Sequence, residues 1–158
     1  MLRRIFAFLI ASFIVMSLIA IHTSITNLLW LSSINMPVTL DVATSMLGSD
    51  LLGMSFEGVV PLSAIILVGL LIAFLTAFIL SRWLSLSQPR LYALAGGSAL
   101  LALVLLLPLL GAPNFIAGAR TIGGKIYIIL FGILAGYYFG SQLEKLSLIH
   151  ISEPTRRR

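Results

Sequence analysis

The feature that most constrains this chain is the spacing of its charged residues. Four long gaps hold no Asp, Glu, Lys or Arg, and each is filled by a strongly apolar run; they cover residues 5–40, 58–81, 91–119 and 126–143. A helix needs about 20 apolar residues to cross the roughly 30 Å hydrocarbon core of a bilayer. The gaps therefore predict four transmembrane spans, at about 5–31, 59–81, 91–112 and 123–143.

Composition excludes the main soluble classes. The chain has 59% hydrophobic and 9% charged residues, against about 45–50% and about 25% in average soluble domains. It has no cysteine, which argues against a disulfide-stapled secreted domain. Because a backbone in lipid must satisfy its own hydrogen bonds, the predicted fold is an all-α membrane protein, a bundle of four transmembrane helices within residues 1–146.

The amino terminus resembles a signal peptide, since Arg3 and Arg4 precede an apolar stretch. That stretch continues to Leu31, well beyond the 7–15 residues of a signal core, and no small-x-small cleavage site stands at its end. We therefore expect an uncleaved signal anchor rather than a removed leader.

Lysine and arginine predict the orientation. The amino end and the connection 82–90 carry arginines, whereas the only charged residues of segment 32–58 are acidic. The positive-inside rule then places both termini and 82–90 in the cytoplasm, and we expect a bacterial inner-membrane protein. Arg120 and Lys125 are exceptions, because this topology leaves them outside.

The last twelve residues, 147–158, form a doubtful tail. Their string, SLIHISEPTRRR, resembles translated sequencing-adaptor read-through. The alternative is a polybasic tail that binds the inner leaflet. The predicted orientation does not depend on the terminal arginines.

The first extracytoplasmic loop is predicted to hold one short amphipathic helix. From Thr39 the apolar residues recur at spacings of three or four, which is the helical period; they are Leu40, Ala43, Leu47, Leu51 and Met54. Thr39 is suited to cap this helix of about 14 residues, which is too short to cross a bilayer.

Small residues form stripes on two spans. The fourth span has Gly132, Gly136 and Gly140 on one face, in two overlapping Gly-x-x-x-Gly motifs. The second span repeats small residues at the same spacing, at Gly69, Ala73 and Ala77. Such stripes let helix backbones approach closely in lipid, so we predict that all six are helix-packing positions. The sequence leaves open whether each stripe packs within one chain or between chains.

Polar residues mark a second candidate site. His22 and Asn27 bound the only polar cluster within a span, and Arg120 and Lys125 flank a glycine turn that would suit an anion. The alternative is that all four are solvated or interfacial side chains without a specific function. A metal site on His22 with acidic residues of segment 32–58, or a hydrolase using Ser24, has no supporting motif, so we predict neither metal ligands nor catalytic residues and no cofactor.

The leading functional prediction is a non-catalytic interaction or assembly subunit, which packs through its small-residue faces with itself or with another membrane protein. The alternative is a small channel or carrier for a neutral or anionic solute, and a membrane enzyme comes third. The spans lack ionisable groups, which ion-coupled transporters normally need there. The lipid bilayer is the one partner that composition itself implies, and nothing points to nucleic acid.

Overall fold

The computed structural model describes residues 2–56, 61–109 and 116–152. All regular structure in these ranges is helical. Besides a short 3-10 turn at Ala117–Ala119, the elements are the α-helices α1 (Leu2–Ser33), α2 (Leu40–Phe56), α3 (Leu62–Leu80), α4 (Gln88–Leu109) and α5 (Ile122–Ser152).

Four of these helices, α1, α3, α4 and α5, are long and apolar enough to cross a membrane, which confirms the prediction of an all-helical polytopic membrane protein. The predicted span ends at 59–60 and 110–112 lie outside the described residues. Helix α1 has 32 residues, so it is about 48 Å long at about 1.5 Å per residue. It exceeds the hydrocarbon thickness and must tilt or project from the bilayer.

A left-handed residue ends α1. Asn35 has a φ of 58°, and the Met36 N–H reaches back to the Leu31 carbonyl oxygen at 3.1 Å. This bond closes the last turn as in a Schellman motif, with asparagine in the position that glycine more often occupies. Pro37 follows directly and prevents the helix from continuing.

Helix α2 begins after the predicted cap. The Val42 N–H donates to the Thr39 hydroxyl oxygen at 3.3 Å, which confirms Thr39 as the N-cap. No residue of α2 is fully buried, and Leu40, Leu52 and Phe56 are strongly exposed. The helix packs on α1 and α3 as a peripheral element.

The four long helices pack in the order α3, α4, α5, α1. The most extensive contact is between α4 and α5, whereas α1 and α3 touch only sparsely. We call the end formed by residues 2–10, 78–92 and 138–146 the basal end, and the opposite end, which carries α2 and the 3-10 turn, the apical end.

The interior is mostly apolar, with buried serine and threonine residues only on α1 among the described residues. Its most deeply buried large side chains are aliphatic and come from all four long helices; they are Val15, Ile19, Ile66, Leu70, Leu100 and Ile128. Towards the basal end the core becomes aromatic. The rings of Phe74 and Phe139 are stacked, with centroids 4.7 Å apart, and Tyr92 meets Phe139 edge-on at 5.1 Å. This cluster joins α3, α4 and α5.

Candidate functional site

The polar cluster of α1 lies at the apical end of the bundle, where three other elements meet it. Thr23 and Ser24 are buried, and His22 and Thr26 are half-buried. The Thr26 hydroxyl donates to the His22 carbonyl oxygen at 2.8 Å, so it serves its own helix. His22, Thr23 and Ser24 contact other parts of the chain.

Ser24 connects α1 to α2. Its hydroxyl donates a 2.6 Å hydrogen bond to a carboxylate oxygen of Asp50, whose residue is half-buried. Hydrogen bonds to charged acceptors are short and strong, so this one is a good anchor for a helix without buried residues. Asp50 thus helps to attach α2 to α1.

His22 contacts the 3-10 turn and α5. Its Nε2 lies 3.3 Å from the carbonyl oxygen of Gly118, and its ring centroid is 5.3 Å from that of Tyr127 and 6.0 Å from that of Phe131. A Cβ on Gly118 would lie 2.8 Å from His22 Cδ2, so only glycine permits this approach without a shift. His22 is therefore packed between the turn and α5.

Two hydroxyls in α1 are buried without a hydrogen-bond partner among the described residues. They belong to Ser12, in the basal half of the helix, and to Thr23, next to Gly118. Either hydroxyl can also bond back to its own helix after a rotamer change, as is common for Ser and Thr in helices. Neither is directed at a second polar side chain.

In the part of the chain that is described, Ser24 and His22 are engaged in contacts other than those of the hydrolase or metal site considered for them. Ser24 donates to Asp50 and His22 meets a backbone carbonyl, so no serine–histidine pair is present there. The described residues hold no group of three His, Asp or Glu side chains that could bind a metal. Glu57, one of the ligands considered for His22, lies outside the described residues.

The other members of the predicted anion site differ in exposure. Arg120 is exposed, and Lys125 and Asn27 are half-buried. The Lys125 N–H belongs to the first turn of α5, which Thr121 caps by accepting from the Gly124 N–H at 3.0 Å. In the described ranges Asp50 is bonded to Ser24 rather than to either cation.

The glycine stripe of α5 faces α4. A Cβ built on Gly136 would collide with the Tyr92 carbonyl oxygen, and one on Gly132 would collide with the Gly96 carbonyl oxygen. A Cβ on Gly140 would lie 2.7 Å from the Gln88 carbonyl oxygen. All three glycines therefore lie where the α4 and α5 backbones approach most closely, within one chain.

The small residues of α3 are placed differently. Ala77 is buried, but Ala73 is only half-buried, and a Cβ on Gly69 would have no atom within 4 Å. Ala73 and Ala77 line a groove of about 560 Å³ between α3 and α4. Within the described chain, Gly69 is therefore not a close-packing position.

Three contacts were not predicted from the sequence. Gly96 meets Gly132 across the α4–α5 interface, and its place in a run of small residues at 95–99 was the available signal. Nothing in the sequence pointed to Ser24 with Asp50 or to His22 with Gly118. The second pair is separated by 96 positions.

No protein-family model matches the chain, and comparisons with curated proteins and with solved structures find no match.

Proposed function

We propose that the protein is a non-catalytic interaction or assembly subunit of the membrane, which binds a transmembrane helix of a second copy of this chain on the small-residue face of α3. The observation that carries the proposal is the open space at Gly69, together with the unfilled groove beside Ala73. In lipid, helices associate through close packing at small residues rather than through burial of apolar surface.

The use of the other stripe supports this assignment. Gly132, Gly136 and Gly140 face α4 of the same chain and are not open to a partner. The α3 face is the stripe that remains accessible. Its groove also includes Thr76 and Ser98, whose hydroxyls bond to their own helix backbones, so neither hydroxyl requires a hydrogen-bond partner from the second chain.

The alternative of a channel or carrier gains little support from the interior. Aliphatic side chains fill the space between the four long helices in the described ranges. The polar cluster at the apical end is engaged with α2, the 3-10 turn and α5 rather than with a lumen.

Cysteine crosslinking tests the proposed interface, because the natural chain has no cysteine. Gly69→Cys and Ala73→Cys should form disulfide-linked dimers in native membranes under mild oxidation. Leu75→Cys is the matched control and should crosslink much less, because Leu75 is strongly exposed and, two residues after Ala73, lies on the opposite face of α3.

A bulky substitution gives a second measurement. Gly69→Leu should reduce the mass of the detergent-solubilised protein towards the monomer without loss of helicity. Gly123→Leu adds the same atoms at another open position, in α5, and should leave the mass unchanged. Absence of crosslinks at 69 and 73, with an unchanged mass for Gly69→Leu, would contradict the proposal.

We further propose an inner-membrane protein of a bacterium with both termini in the cytoplasm. The basal end carries a cluster of cations and the apical end carries both acidic residues of α2, as the positive-inside rule would have it; the cations are Arg3, Arg4, Arg82, Arg90 and Lys145.

A further inference from the structure

A groove of about 460 Å³ runs between α1 and α5 at the basal end. Along α1 its lining passes from Arg3 to Phe6 and then to Ile10, one helical turn at a time. Along α5 it passes from Lys145 to Gln142 and Tyr138 in the same direction. Both walls are therefore charged at the end of the bundle and become apolar towards its middle.

We propose that this groove binds a phospholipid with an anionic headgroup. The phosphate would lie between Arg3 and Lys145, and an acyl chain would follow Phe6 and Ile10 towards the membrane interior. Basic pockets between transmembrane helices at the membrane surface recognise anionic headgroups, and arginine matches the geometry of a phosphate group.

Charge complementarity identifies the occupant. The described lining has two cations and no Asp or Glu, since Glu144 precedes Lys145 in the chain but does not line the groove. Both cations are exposed, so a headgroup can reach them from the membrane surface. Phe6 is 65% exposed beside them, which leaves an apolar surface for a chain rather than for a soluble anion.

The groove is large enough for part of this ligand, the headgroup with the first part of one acyl chain. Its volume lies within the about 300–1,000 Å³ usual for small-molecule sites. It lies between α1 and α5, away from the α3 face proposed for a second chain, so the two proposals can fail separately.

Lipid retention measured by native mass spectrometry tests the proposal. The detergent-purified full chain should retain one phosphatidylglycerol in preference to phosphatidylcholine, and millimolar inorganic phosphate should not displace it. The double variant Arg3→Gln, Lys145→Gln should bind phosphatidylglycerol about 25-fold more weakly, because each cation at an anionic surface contributes roughly a factor of five.

The matched control is Arg82→Gln, Arg90→Gln, which removes the same charge from two exposed residues at the basal end outside this groove. It should retain phosphatidylglycerol as the natural chain does. A third variant, Ile10→Trp, fills the apolar part without changing charge and should also reduce retention; circular dichroism checks that all variants fold.

Equal retention of the two lipids, or equal loss in both double variants, would overturn the proposal. Displacement by inorganic phosphate alone would show a site for soluble anions instead.

Discussion

The Ser24 hydroxyl donates to the Asp50 carboxylate at 2.6 Å, and this bond joins the long helix α1 to the peripheral helix α2, which buries none of its own residues. Ser24→Ala should therefore loosen α2. Hydrogen bonds to charged groups contribute about 1.5–3 kcal/mol, so amide hydrogen exchange in α2 should become at least about tenfold faster. Ser49→Ala is the control, since the Ser49 hydroxyl bonds only to its own helix. Unchanged exchange in Ser24→Ala would show that α2 is held by packing alone.

At the α4–α5 contact, we expect Gly→Ala to destabilise the protein, although the same change stabilises an isolated helix. In an isolated helix Gly→Ala stabilises by about 1 kcal/mol. At Gly136 the added Cβ meets the Tyr92 carbonyl oxygen, so the two backbones must separate. Overpacking of this kind typically lowers the free energy of unfolding by about 1–3 kcal/mol.

Thermal unfolding in detergent, followed by circular dichroism, measures this response. Gly136→Ala should lower Tm, and Gly136→Leu should lower it further. Gly123→Ala is the control, because its Cβ would have no atom within 4 Å. A Tm for Gly136→Ala equal to or above that of the natural chain would mean that α4 and α5 are farther apart than described.

The end of α1 predicts a dependence on one backbone angle. Asn35 has positive φ, which glycine tolerates freely and β-branched residues tolerate poorly. Asn35→Val should lower the free energy of unfolding by about 1–2 kcal/mol, whereas Asn35→Gly should not lower it. Met36→Val introduces the same β-branched side chain at the neighbouring position and is the control. Similar stabilities for Asn35→Val and Asn35→Gly would contradict the left-handed cap.

The proposed orientation predicts the activity of topology reporters. A reporter that is active only in the cytoplasm should function when fused after Ser87, in the α3–α4 connection, and should fail when fused after Ser49, in α2. The reason is that chain segments rich in Lys and Arg, such as those at the basal end, remain in the cytoplasm during membrane insertion. The reverse pattern of activities would place the basal end outside and Arg120 inside.

The spans could be predicted from the sequence because an ionised side chain is so unfavourable in lipid that its absence over 18 or more residues is diagnostic. The helix after Thr39 could also be predicted, because a capping side chain and a helical period agree there. These signals are local, and each depends on residues within one or two turns.

The partners of the helices could not be predicted. A stripe such as Gly132 to Gly140 indicates that some backbone comes close, but many faces could supply it, and here α4 does. Gly69 has the same spacing of small residues and lies in open space. The meeting of His22 with Gly118 depends on how the whole bundle closes, which no short motif encodes.

Ser12, whose buried hydroxyl has no hydrogen-bond partner among the described residues, is a suitable position for a probe of helix separation. Ser12 is 1% exposed. Cysteine differs from serine by one atom, sulfur in place of oxygen, and is often buried in apolar interiors, so it should fit at this position. In a chain with no other sulfhydryl, Ser12→Cys would create a single thiol that thiol-reactive dyes meet only when α1 leaves its neighbours. The rate at which that thiol is labelled would then measure how often α1 separates from the other helices.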